Sequence, residues 1–321
     1  MERKKIHPSA PKLLQECLAL AASPLAGAPL CGIADDGMIQ KIKTESQVTD
    51  LGGKIAVVTG ASRGLGQRVA WRLSQLGADV ALLARSEAAL QHLQQKMAAH
   101  GARTLAVPVD VGDLQSVHRA KGVIERDLGI PSILVNAAGV FGPIDLVKDS
   151  DPAAWIETMR INTIGPYLTC RAFVGGMMDR GWGRIVNVSS AAALHEPGPI
   201  NSAYGTSKAA LNQFTRHLAS ELKGTGVTAN AIHPGDVKTD MWEYIKGASQ
   251  RLGSAAEAYS KWADWVQETG GDDPEKAANL VADLMSENAA GVNGRFLWIQ
   301  DGLQSPIPSW GESEDLPPWR E

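Results

Sequence analysis

From Lys54 onward, short apolar runs alternate with longer stretches in which apolar residues recur at helical spacing. Ile55-Ala56-Val57-Val58-Thr59 is β-branched and does not alternate with polar residues, which is the pattern of a strand covered on both faces. Residues 79–84, 103–109, 133–135, 184–188, 227–232 and 295–299 read as further strands. Helices are predicted near 67–75, 87–100, 114–126, 153–178, 203–223 and 274–286. Strands joined in series by helical crossovers specify parallel pairing, because consecutive hairpins are absent. The fold class expected is doubly wound α/β, with a seven-stranded parallel sheet in a single domain over 51–303.

The two ends of the chain differ from this series. Residues 1–50 hold Pro8, Pro11, Pro24 and Pro29 and one short helical candidate at 13–22, and are expected to form a flexible N-terminal extension. Arg3, Lys4 and Lys5 precede an apolar patch as in a targeting leader, but Gln15 and Glu16 interrupt it. Translation starting at Met38 is an alternative. Residues 304–321, with Pro306, Pro308, Pro317 and Pro318, read as an extended tail.

Composition narrows the partners. Of 321 residues, 44% are hydrophobic and 21% charged, a globular balance, and the formal net charge is -4. Without a concentrated basic face, nucleic acid is excluded as a partner. Three widely spaced cysteines, Cys17, Cys31 and Cys170, make no disulfide framework. No apolar run reaches the roughly 18 residues that a membrane span needs. A cytoplasmic setting is expected.

The loop Thr59-Gly60-Ala61-Ser62-Arg63-Gly64-Leu65-Gly66 lies between the first strand and its helix. Glycines there let the backbone turn sharply and approach a pyrophosphate, which the free N–H groups of the helix start then face. The spacing is GxxxGxG. An acidic residue ending the second strand would hold the adenosine ribose of NAD; this chain instead reads Leu83-Ala84-Arg85-Ser86. Arg85 and Arg63 together suit the extra phosphate of NADP(H), which is therefore expected in preference to NAD(H). A solvated surface role for Arg85 is the plainer alternative.

Tyr204 and Lys208 are four apart at the start of a helix and share one face. A free phenol titrates near ~10, too high for easy proton exchange at neutral pH. The neighbouring ammonium is expected to favour the phenolate and lower that value.

With TGASRGLG, then Asn136-Ala137-Ala138-Gly139, Asn162, Val188-Ser189-Ser190, Tyr204 and Lys208, and Pro234-Gly235-Asp236-Val237-Lys238-Thr239, the chain resembles the short, single-domain branch of the short-chain dehydrogenase/reductases. The resemblance covers about 53–303 and is closest to NADP(H)-type, 3-oxoacyl reductase-like members. It implies an oxidoreductase that interconverts a carbonyl and a secondary alcohol. Tyr204 would be the acid/base, and Lys208 would tune it and hold the nicotinamide ribose. Ser190 would hydrogen-bond the substrate oxygen, with Ser189 as its competitor. Asn162, within its long helix, would anchor a proton-relaying water or be a buried, satisfied amide. The resemblance carries the cofactor to Gly60, Ser62, Arg63, Gly64, Leu65, Gly66, Asp110, Val111, Asn136, Ala137, Gly139, Pro234, Gly235, Val237, Thr239 and Met241. It also implies a homotetramer or homodimer built on the helices at 153–178 and 203–223.

A substrate lid is expected at about 237–271, which holds Trp242, Tyr244, Tyr259, Trp262 and Trp265. These rings either face an apolar substrate or pack an amphipathic helix. His195-Glu196 is not the HExxH pattern, so no metal is implied. The last strand runs into Asp301-Gly302-Leu303 where relatives often have DGG. Two other functions compete: a cofactor-binding sensor or scaffold without turnover, and an epimerase or dehydratase on the same sheet. The presence of both Tyr204 and Lys208 disfavours the first, and the glycine spacing the second.

Overall fold

The structure, a computed structural model, describes residues 49–194 and 198–299. The strands are β1 (Ile55–Thr59), β2 (Asp79–Ala84), β3 (Thr104–Pro108), β4 (Ile133–Asn136), β5 (Gly183–Val188), β6 (Val227–His233) and β7 (Phe296–Trp298). They form one sheet in the order β3-β2-β1-β4-β5-β6-β7, and every neighbouring pair is parallel. Strands paired on both sides and covered on both faces lie out of water: all seven residues of β6, Thr228, Asn230 and His233 included, and all four of β4 are buried. The expected seven-stranded, doubly wound sheet is the one observed.

The crossovers before β6 are α1 (Gly64–Gln75), α2 (Glu87–Ala98), α3 (Leu114–Asp127), α4 (Pro152–Met159), α5 (Gly165–Asp179) and α6 (Ser202–Glu221). Their starts are written locally. Ser86, Asp113 and Asp151 accept backbone N–H groups at the first turns of α2, α3 and α4, and Pro152 begins α4 where no N–H is needed. After β6 come α7 (Asp240–Leu252), α8 (Glu257–Thr269) and α9 (Pro274–Leu284).

One expected helix, 153–178, differs in detail. It is broken by a π-turn at Arg160–Ile164 between α4 and α5. Pro166 has no N–H for the i−4 bond to the Asn162 carbonyl, and its ring crowds that oxygen, so the ladder widens there. The lid region is a helix pair, α7 and α8, closed at its base by an antiparallel bridge between Val237 and Gly271. The expected helix at 13–22, the tail, and His195, Glu196 and Pro197 lie outside the described residues.

The order in which strands are added reverses between β1 and β4, and ligands in such sheets bind beyond the carboxyl ends of the strands at that point. The two ends are stitched together by Thr59, whose hydroxyl accepts the N–H groups of Ala137 and Ala138, both at 3.1 Å. A buried polar chain continues sideways: Asn136 donates to Asn187 at 2.9 Å, Asn187 donates to Thr215 at 2.9 Å, and Thr169 donates to Asn136 at 2.7 Å. Buried amides satisfied in this way fix strand ends rigidly.

Candidate active site

The glycine loop is shaped by close approach. Gly60 sits at φ 67°, and a Cβ there would come 2.8 Å from the Ala138 backbone. A Cβ on Gly66 would lie 2.4 Å from the Gly60 carbonyl oxygen. By contrast, the space beside Gly64 is open to 4 Å. Arg63, the residue before α1, supplies no side-chain cap, so the first N–H groups of that helix keep their capacity for an anion. Ser62 and Leu65 complete this turn. A dinucleotide's phosphates fit such a cradle.

Two cations border it. Arg63 pairs with Asp240 at 2.9 Å, and both side chains are exposed. Arg85 follows β2 and acts by charge on Asp110 and Glu157. Asp110 is held by Arg160, with two hydrogen bonds of 3.0 Å, and by the Gly112 N–H. Burial raises the Asp110 carboxyl, but these bonds outweigh it and leave the group below its ordinary value. Arg160 also donates to Glu157 at 2.6 and 2.7 Å. The side chain of Val111 is packed into the core, where Gly165 makes room for it.

Four expected chemical groups converge at the ends of β4, β5 and α6. Tyr204 is 8% exposed and Lys208 4%. The Ser190 hydroxyl accepts the Ala192 N–H at 3.2 Å and is near enough to Tyr204 to favour its ionised form. Ser189 is engaged elsewhere: it donates to Asn212 at 2.5 Å, which separates the two serines. Lys208 Nζ lies 5.5 Å from the Tyr204 ring centre and donates to the Val188 carbonyl at 2.8 Å. Gly139 faces both Lys208 and Asn162, since a Cβ there would sit 3.7 Å and 3.4 Å from their polar atoms.

The electrostatics correct one expectation. Burial pushes the Tyr204 phenol up to about 12; the Ser190 hydroxyl pulls it down, and the Asp236 charge raises it further. Burial likewise brings Lys208 down to about 8. Removal from water is the largest cause of both shifts. The phenol is raised, where spacing alone led us to expect it lowered.

Asn162 lies in the π-turn. Its amide donates to the Val140 carbonyl at 2.8 Å and to Ser207 at 3.0 Å, and its oxygen accepts the Val140 N–H at 2.9 Å. Both amide hydrogens are used, so the side chain clasps the loop after β4. Beyond β6, Pro234 precedes Gly235 at φ 83°, and the Asp236 N–H donates to Asp272 at 2.8 Å. Thr239 stands at the start of α7 with its side chain unused as a cap, and Met241 packs against the cluster around Tyr204.

The lid aromatics divide between the two roles considered. Trp242 is buried and donates to the Ala263 carbonyl at 3.2 Å, joining α7 to α8. Tyr259 and Trp262 face the cluster that contains Tyr204, while Trp265 is exposed. Sequence reasoning missed Phe141, Ile144 and Arg160. Phe141 had a signal, a bulky apolar residue in a loop at the ligand end of the sheet; Arg160, fifty residues from its Asp110 partner, had none.

Known proteins place this geometry. The family model for short chain dehydrogenases matches residues 54–250. The 3-oxoacyl acyl-carrier-protein reductase FabG of Pseudomonas aeruginosa is 33% identical over 261 residues, covering 79% of this chain and 98% of that one. Among solved structures, an actinorhodin polyketide ketoreductase with NADPH superposes with TM-score 0.71 at 29% identity, covering 78% of this chain and 97% of the other. An NAD+-bound xylitol dehydrogenase gives TM-score 0.71 at 26% identity, over 78% and 98% of the two chains. The glycine loop and the Tyr204–Lys208 helix both fall within residues 54–250, and the chain belongs to the short-chain dehydrogenase family, whose fold binds a nicotinamide cofactor.

Proposed function

We propose that the protein is an NADP(H)-dependent oxidoreductase that interconverts a carbonyl and a secondary alcohol, with Tyr204 as its acid/base. The observation that carries this reading is the convergence, at the sheet's ligand end, of Tyr204, Ser190 and Lys208 in one cluster near the glycine cradle.

Bound there, the dinucleotide supplies the hydride. Residues 60–66 would cradle its phosphates, with Asn136, Ala137, Gly139, Pro234, Gly235, Val237, Thr239 and Met241 bordering the path to Tyr204. Arg85 and Arg63 favour the phosphorylated adenosine: β2 ends without a carboxylate, and Arg63 is held by an exposed ion pair that exchanges readily. Asp110 shapes the adenosine side through its bonds with Arg160.

Tyr204 holds its proton at neutral pH, since burial keeps the phenol high. It donates that proton to the substrate oxygen as negative charge develops there. Ser190 donates a second hydrogen bond to the same oxygen, and two donors aimed at developing charge lower the barrier. Lys208, about 8, stays charged at neutral pH and stabilises the phenolate that remains. Asn162 holds the loop of Gly139 and Val140 in register with Lys208.

Exposed Ile156, Ile164 and Tyr167 on the α4–α5 run, with Tyr167 edge-on to Phe214 of α6 at 5.9 Å, support assembly as a homodimer or homotetramer through these helices. The test of function is a panel of ketones and alcohols followed by cofactor absorbance with both nicotinamides. Turnover that needs Tyr204 supports the reading; cofactor binding with no net oxidation or reduction on any carbonyl overturns it.

A further inference from the structure

The proposed proton donor is covered by other rings. Phe141, from the loop after β4, lies flat on Tyr204 with ring centres 4.4 Å apart and planes 22° apart. Tyr259, from α8, meets Phe141 edge-on, at 6.2 Å and 87°. Ile144, Ile200 and Ile245 close the same cluster. Phe141 is fixed from both sides: Asn162 holds Val140 by two hydrogen bonds, and the Tyr244 hydroxyl donates to the Gly142 carbonyl at 3.1 Å. Ile200 is held at φ 67°, a backbone that β-branched residues rarely adopt. Strain of that kind persists where the surroundings enforce it, and here it keeps an apolar side chain in this wall.

We infer that Phe141 determines the specificity of this site, selecting carbonyl compounds whose reacting group adjoins a flat, uncharged ring. The inference rests on the oxidoreductase reading above. A carbonyl bonded to the Tyr204 and Ser190 hydroxyls brings its substituents alongside the Phe141 and Tyr259 rings. A flat substituent adds a ring contact to the Phe141–Tyr204 stack, which is worth about two- to tenfold in affinity beyond the area it buries. A polyol would exchange its bonds to water for contact with a hydrocarbon wall.

The test uses the full chain with NADPH and two methyl ketones of equal carbon count, 2-acetylnaphthalene and 2-dodecanone. Wild type is expected to favour the naphthyl ketone in kcat/KM. Phe141→Leu keeps apolar bulk without a ring and is expected to cut that preference about three- to tenfold, through KM. Phe141→Trp is expected to retain it, and thermal melts check that both variants are folded. Fluorescence binding of 2-acetylnaphthalene to wild type and Phe141→Leu should show the same loss without turnover. An unchanged ratio in Phe141→Leu, or wild type favouring the alkyl ketone, overturns the inference, as does unchanged naphthyl binding. Ring-dependent binding with no turnover of these ketones or of any carbonyl in the panel above would instead keep the inference and overturn the oxidoreductase reading.

Discussion

Lys208→Met separates what the lysine does for chemistry from what it does to the fold. Lys208 is 4% exposed, and burial lowers its ammonium from 10.5 to about 8. At about 1.4 kcal/mol per pKa unit, keeping it charged in the folded state costs about 3 kcal/mol at neutral pH. Methionine fills much of the same stem volume and carries no charge. Its cost is the bond from Lys208 to the Val188 carbonyl, 2.8 Å, whose loss returns about 1–2 kcal/mol. The variant should therefore be inactive yet more stable by about 1–2 kcal/mol, with Tm higher by about 3–6 °C.

The pH dependence has a definite sign. Between about 8 and 10.5 the unfolded lysine binds a proton that the folded one does not, so folding gains stability as pH rises through that window. Below about 8 the whole penalty is present; above 10.5 it is gone. Tyr204 and Tyr259, both pushed up to about 12 by burial, titrate in wild type and variant alike and cancel in the difference. Urea denaturation of the cofactor-free chains across this range reads the gap directly. It should be widest below pH 8 and close toward pH 10. A variant less stable than wild type at neutral pH, or a gap that does not change with pH, refutes the burial argument.

Other outcomes follow from the same geometry. Tyr204→Phe should lower kcat by at least about a hundredfold, the usual contribution of a positioned acid, while NADPH affinity by fluorescence titration stays nearly constant; retained turnover would reject Tyr204 as proton donor. Arg85→Ala combined with Arg63→Ala should weaken NADPH by about 10–100-fold and NADH little, because two charge-assisted bonds are lost; equal losses for both cofactors would remove the phosphate clamp. Reductive turnover should hold level below about pH 8 and fall above it as Lys208 sheds its proton. A stopped-flow profile flat to pH 10 would contradict that role.

How much of this could be read in advance follows from the range of each interaction. The parallel sheet was legible because a strand covered on both faces writes an apolar run, as β1 does over Ile55–Val58 and β2 over Val80–Ala84, whereas β6 buries Thr228, Asn230 and His233 among its apolar residues. The π-turn at Arg160–Ile164 carried a local mark in Pro166, whose missing N–H breaks one bond of the ladder. Arg160 on Asp110, and Phe141 on Tyr204, are meetings of distant segments, for which spacing carries no information. The most instructive failure is electrostatic. An i, i+4 spacing reveals that Lys208 stands near Tyr204 but not that both lie out of water, and burial reverses the sign expected for the phenol. That reversal bears on mechanism. A phenol near 12 keeps its proton until a developing alkoxide draws it away, and the buried ammonium beside it then meets the charge left behind. On the proposed reading, this burial suits the site to reduction at neutral pH, with oxidation demanding a more alkaline solution.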